Sequence, residues 1–128
     1  MILKYILLAW LILSGLFFVT SCEETLEAEL KNEKIVLLSP IDSVQSTDTL
    51  QLFYWQHSQK YADYQLQVVS PRFDSMVKLI ADTITTKNQL QLKLKKGFQY
   101  QWRVRAVNYS FASPYSSVWN LWVQWLNI

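Results

Sequence analysis

From Lys34 onward, apolar residues recur at every second position. A period of two is the spacing of a β-strand with one buried face. Tyr100, Trp102, Val104 and Ala106 alternate with Gln101, Arg103 and Arg105. Leu90, Leu92 and Leu94 alternate with Gln91 and Lys93, and Tyr64, Leu66 and Val68 with Gln65 and Gln67. Ile35–Leu38 stops at Ser39-Pro40, and Leu50–Trp55 follows the polar turn material of Asp42–Asp48. Ser75–Ala81 reads as a short strand after Ser70-Pro71. Trp119, Leu121, Val123 and Trp125 form the last alternation; Trp119, Trp122 and Trp125 also fit a helical spacing, but the period of two elsewhere favours a strand. Seven strands with turn signals at about ten-residue spacing predict an all-β sandwich over residues 34–128.

A sandwich of this size is poor in interior, because a small domain buries only about 60 % of its unfolded surface. Aromatic residues make up 15 % of the 128-residue chain and can supply that interior. One Cys and one His exclude a disulfide framework and any multi-histidine or Cys-cluster metal site. The net charge of +2 conceals an asymmetry. Residues 23–33 carry five Glu and one Lys, whereas residues 34–128 carry seven Lys and three Arg against five Asp. The basic residues form no clustered stripe, which argues against nucleic acid as a partner.

Residues 1–22, MILKYILLAWLILSGLFFVTSC, place Lys4 before an apolar run of about 15 residues and then small residues. That order is a secretory signal peptide, and the run is short for a span of about 20 residues. Its ending, Val19-Thr20-Ser21-Cys22, resembles the lipobox of bacterial lipoproteins. The resemblance implies cleavage of residues 1–21 and lipidation of Cys22. The membrane partner is then reached through a lipid anchor in the cell envelope, at the outer membrane, facing the periplasm or the cell surface. Three acyl chains exceed the two signals that stable anchoring takes. Residues 22–33 read as an acidic tether. Glu23-Glu24 also resembles the acidic signal of surface-exported Bacteroidota lipoproteins, and both readings stand.

Within the body, Trp55, Tyr64 and the run Leu94-Lys95-Lys96-Gly97-Phe98-Gln99-Tyr100-Gln101-Trp102-Arg103-Val104-Arg105-Ala106 resemble a fibronectin type III domain. That family places a Trp on its second strand, a Tyr on its third, and Leu-x-x-Gly-x-x-Tyr-x-x-x-Val-x-Ala at the entry to its sixth. The resemblance implies a seven-stranded immunoglobulin-like sandwich with Tyr100 as its tyrosine corner. Asn108 after YQWRVRAV, and Ser70-Pro71-Arg72-Phe73, resemble the version in Bacteroidota lipoproteins. The pattern points Phe53 and Trp55 into the core, leaving Leu50, Leu52 and Tyr54 on the other face. A bulge, an intramolecular cover or a partner surface each accounts for that face, and an intramolecular cover is the preferred expectation.

No phosphate-cradling glycine loop, zinc motif or calcium loop is present. His57 and Ser58 are adjacent, and neighbouring side chains on a strand diverge, so they make no catalytic pair. The expectation is a protein that is not an enzyme and takes no cofactor and no metal. Two constellations remain. Tyr109, Phe111 and Tyr115 sit among Ser, Ala and Pro in the connection before the last strand. Rings among small polar neighbours suit a binding loop for protein or glycan, and Trp122 adds an outward platform; alternatively the rings fold back as a cap. Ser43, Thr49, Ser75 and Thr83 each follow Asp and precede an apolar residue. That triplet resembles the O-glycosylation acceptor of exported Bacteroidota proteins, and it is also ordinary turn chemistry. The functional expectation is a lipid-anchored binding module, with a structural accessory subunit of a larger envelope complex as the alternative.

Overall fold

The computed structural model describes residues 5–6, 33–57 and 63–126. The signal peptide expected at residues 1–21, the lipidation expected at Cys22 and the expected tether as far as residue 32 lie outside the described residues, apart from residues 5–6. Eight strands run in the order β1 (Leu37–Ser39), β2 (Val44–Ser46), β3 (Leu50–Trp55), β4 (Asp63–Ser70), β5 (Lys78–Thr85), β6 (Gln89–Lys93), β7 (Phe98–Val107) and β8 (Trp119–Val123). They form a three-stranded sheet, β1-β3-β6, and a five-stranded sheet, β2-β8-β7-β4-β5. All neighbours are antiparallel except β2 and β8.

The sandwich is as expected, and among the described residues its strands number eight where seven were expected. Val44–Ser46 falls inside the stretch read as turn, yet it pairs parallel with Leu121–Val123. Ser43 N–H donates to Asn120 C=O and Gln124 N–H to Ser46 C=O, so the pairing is closed at both ends. The strand expected at Ser75–Ala81 begins and ends later. Ser75 belongs to a turn, and Val77 N–H donates to Ser70 C=O. From there β5 runs to Thr85, with Leu66 facing Thr83 and Tyr64 facing Thr85.

The core lies between the sheets, as the alternation requires. Phe53 and Trp55 of β3 meet Tyr64, Leu66 and Val68 of β4 and Tyr100, Trp102, Val104 and Ala106 of β7, all buried. Phe53 packs edge-on to Trp102 at 5.0 Å, and Trp55 to Tyr64 at 5.6 Å. Such ring pairs contribute about 0.5–1.5 kcal/mol beyond their buried area. Tyr100 closes one end. Its hydroxyl donates to Lys95 C=O at 2.9 Å and accepts from Lys95 N–H at 3.0 Å. Burial pushes the Tyr100 phenol above its usual pKa, partly offset by the Lys95 hydrogen bond.

The second face of β3 is as the alternation implied. Leu50, Leu52 and Tyr54 point outward and stay exposed, with no bulge between β3 and β6 to shift them.

Candidate binding site

One pole of the sandwich gathers the ends of β3 and β7 and the start of β4. The chain also enters the domain here, since Gln56 N–H donates to Val36 C=O. The connection after β7 is a tight turn built by Asn108. Its side-chain oxygen accepts from Ser110 N–H at 3.2 Å and from Phe111 N–H at 3.0 Å, and its own N–H donates to Phe111 C=O at 2.9 Å. A short bridge between Val107 and Ala112 closes the base. This is the Asx-turn chemistry that Asn brings to loops. In sequence Asn108 stands only as a family-like position, although Asn followed by small polar residues is itself turn chemistry.

The turn separates the three rings expected to act together. Tyr109 stands at the tip, its side chain fully exposed. Phe111 returns to the domain and packs against the core. Tyr109 and Phe111 line one side of an open groove of about 990 Å³ whose other walls include His57, Asp63, Ile84 and Arg105. His57 is placed by Tyr64, whose hydroxyl lies 3.2 Å from its Nδ1.

Tyr115 goes elsewhere. β8 pairs with only the first half of β7, from Phe98 to Trp102. Along the second half two buried serines take the place of a strand. Ser113 N–H donates to Ala106 C=O while Ser113 Oγ accepts from Ala106 N–H, both at 2.8 Å. Ser116 does the same with Val104, at 2.8 and 3.0 Å. Tyr115, between them, is turned over the outer face of the five-stranded sheet. There the Arg103 guanidinium lies 3.9 Å from the Tyr115 ring centre and 4.1 Å from that of Phe73, while Arg105 lies 4.5 Å from Tyr115. The arginines are fixed from the other side. Gln67 Oε1 accepts from Arg103 Nε and Nη2, Gln65 Oε1 accepts from Arg105 Nε, and both glutamine amides donate to the Asp82 carboxylate. The sequence marks Arg103 and Phe73 only as strand and family-like positions and gives the two serines no role; the outward Arg pair on β7 was the available signal.

Trp122 lies on the outer face of β8 and is 40 % exposed, far along the strand from Tyr109. It therefore shares no groove with the loop rings. Ser43 and Ser75 are exposed in turns, each beside the carboxylate of its preceding Asp. Thr49 is partly buried, and Asp48 accepts from Leu50 N–H. Thr83 is also partly buried, within β5 opposite Leu66, on the core side of the strand rather than in a turn. Among the described residues no group of three or more His, Cys, Asp or Glu could hold a metal ion, and no helix is long and apolar enough to cross a membrane.

The fold is that of a fibronectin type III domain. A solved fibronectin type III domain from the human KIAA0970 protein superposes with a TM-score of 0.58 at 18 % identity, covering 86 % of this chain and 88 % of that one. The twitchin kinase region from C. elegans gives 0.51 at 16 % identity, covering 70 % of this chain, which spans 16 % of the twitchin chain. No protein-family model and no curated protein matches the sequence. At such identities the likeness concerns the fold alone.

Proposed function

We propose that this chain is a lipid-anchored binding module of the bacterial cell envelope, not an enzyme, which meets a protein or glycan partner through the Tyr109 pole. The observation that carries the reading is the Tyr109 ring, held clear in solvent by a turn that Asn108 closes, at the rim of a groove of about 990 Å³. A ring on a rigid support gives contact area at little entropic cost. Lipidation rests on Val19-Thr20-Ser21-Cys22. The tether would join the domain at this same pole, so an envelope partner close to the membrane is within reach.

A second reading is an accessory subunit that docks through a sheet face. The exposed Leu50, Leu52 and Tyr54 on the three-stranded sheet favour it. Photo-crosslinking in intact cells separates the two. A crosslinking residue at Tyr109 is expected to give a discrete adduct, and one at Lys96 none. Adducts at Leu52 with none at Tyr109 would move the interface to the sheet. Cys22→Ala is expected to abolish fatty-acid labelling; retained labelling in the membrane fraction refutes the anchor.

A further inference from the structure

The two outer faces of the sandwich differ in kind. On the five-stranded sheet, Arg103 and Arg105 are held by Gln67, Gln65 and the Tyr115 ring, and the glutamines in turn by Asp82. The three-stranded sheet is apolar instead. Leu50, Leu52 and Tyr54 run down its middle strand, and Val36 and Leu38 flank them on the β1 side, each between 38 % and 52 % exposed. On the β6 side, Gln89 faces Tyr54, Gln91 faces Leu52 and Lys93 faces Leu50. Lys34 shares the outward phase of Val36 and Leu38, since Ile35 and Leu37 between them are buried. Leu37 lies opposite Trp55, so Lys34 and Lys93 stand at opposite ends of the face. Residues 34–39, β3 and β6 contain no Asp or Glu.

The size of this face weighs against a protein as its occupant. Three strands about 4.8 Å apart, with six residues at about 3.4 Å each, give about 300 Å². A stable protein interface, a second copy of this chain included, takes about 800 Å² from each partner. A peptide adding a strand would pair with the free backbone edges of β1 or β6, which lie in the plane of the sheet. It would widen the face without covering it. Residues 23–33 offer Leu26 and Leu30 as their only large apolar groups, too few for the five of the face. A bilayer surface meets none of these obstacles. It takes Leu and Tyr side chains to headgroup depth, while lysines at the rim reach anionic phosphates. The face also need not supply attachment alone. Residues 23–33 lead from Cys22 to Lys34, at one end of this face, and reach at most about 40 Å. A domain tethered that closely needs little further affinity.

Given the lipid anchor at Cys22, on which this rests, we propose that the outer face of the three-stranded sheet lies on an anionic phospholipid bilayer. Leu50, Leu52 and Tyr54 sit at headgroup depth, and Lys34 and Lys93 meet lipid phosphates. The strands then run along the membrane, with the Tyr109 pole at one end and clear for a partner.

The test uses the protein purified from the membranes of its own host and reconstituted in vesicles of phosphatidylcholine and phosphatidylglycerol that carry a diazirine-bearing lipid. Flotation reports attachment, and mass spectrometry of the lipid adducts reports the face. Adducts are expected on residues 36–38 and 50–54. Leu50→Gln with Leu52→Gln is expected to lower them about tenfold without loss of flotation. Lys34→Gln with Lys93→Gln should lower them about fivefold, and the parent should lose as much when phosphatidylglycerol is left out. Met76→Gln with Val77→Gln, exposed apolar residues outside this sheet, should change nothing. Flotation without adducts on these strands leaves the anchor standing and overturns the docked face, whether residues 23–32, a second copy or another protein covers it. Adducts on the face of a chain with no fatty acid at Cys22 keep the face and refute the anchor. Neither flotation nor adducts refutes both. Equal yields from the parent and the Leu50→Gln, Leu52→Gln variant overturn the proposal. So do yields indifferent to phosphatidylglycerol, and so does a protein adduct at Leu52 in intact cells.

Discussion

The Arg103 guanidinium sits 3.9 Å from the centre of the Tyr115 ring. With Phe73 on its other side, the arginine is held between two aromatic faces. Tyr115 therefore spends its ring within the domain, leaving Tyr109 as the free ring of the connection.

Tyr115→Ala is expected to cost about 1–2 kcal/mol, since a cation–π contact contributes about 0.5–2 kcal/mol and two arginines share this ring. Tyr115→Phe keeps the ring face and should stay within about 0.5 kcal/mol of the parent. Denaturant titration of both variants checks the pair. Equal stability of parent and Tyr115→Ala would remove the stack as a source of stability.

Tyr100→Phe deletes one hydroxyl and strands two backbone groups of Lys95. The expected loss is about 1–3 kcal/mol. A pH signature accompanies it. The folded-state pKa of Tyr100 is raised, chiefly by burial, above the ordinary value of 10.0. Above that value the unfolded chain gives up the proton before the folded one does. Stability from this group is thus complete below pH 10 and falls as pH rises through the folded-state value. Unfolding of parent and Tyr100→Phe from pH 8 to 11 should show their difference shrinking at the alkaline end. A constant difference would contradict the buried phenol.

The tyrosine corner was legible through the resemblance to fibronectin type III domains, whose pattern Leu94, Gly97 and Tyr100 match, and its bonds to Lys95 span only five residues. The inward and outward faces of β3, β4 and β7 were legible because period two needs no knowledge of partners. β2 was not legible. Its three residues include Gln45 and Ser46, and it exists because β8, far along the chain, offers an edge. The fate of Tyr115 was hidden for a related reason. It depends on Ser113 and Ser116 replacing a strand beside β7, and on Arg103 and Arg105 facing outward where Tyr115 lands.

The four Asp-Ser/Thr triplets differ in placement, and modification should follow that difference. Ser43 and Ser75 are exposed in turns, whereas Thr49 and Thr83 are partly buried. Mass spectrometry of material from its own host is expected to show glycan mass lost in Ser43→Ala and Ser75→Ala and retained in Thr83→Ala. A parent mass equal to the polypeptide plus lipid would reduce all four to turn and strand chemistry.

Tyr109 and Phe111 lie two residues apart and should part company on mutation. Tyr109 has no contact that its ring supplies to the core, and the turn beneath it is closed by Asn108. Tyr109→Ala is therefore expected to leave stability within about 0.5 kcal/mol of the parent while lowering partner binding by about 2 kcal/mol or more, the scale of an interface hot spot. Phe111 packs against the core, so Phe111→Ala should cost about 1–3 kcal/mol of folding stability, less than a fully buried ring. Thermal unfolding of the two variants, alongside the yield of the Tyr109-pole adduct from intact cells, separates the roles. Early melting of Tyr109→Ala would make its ring a cap. A stable Tyr109→Ala that still forms the complex would leave the exposed face of Leu50, Leu52 and Tyr54 as the surface that meets the partner.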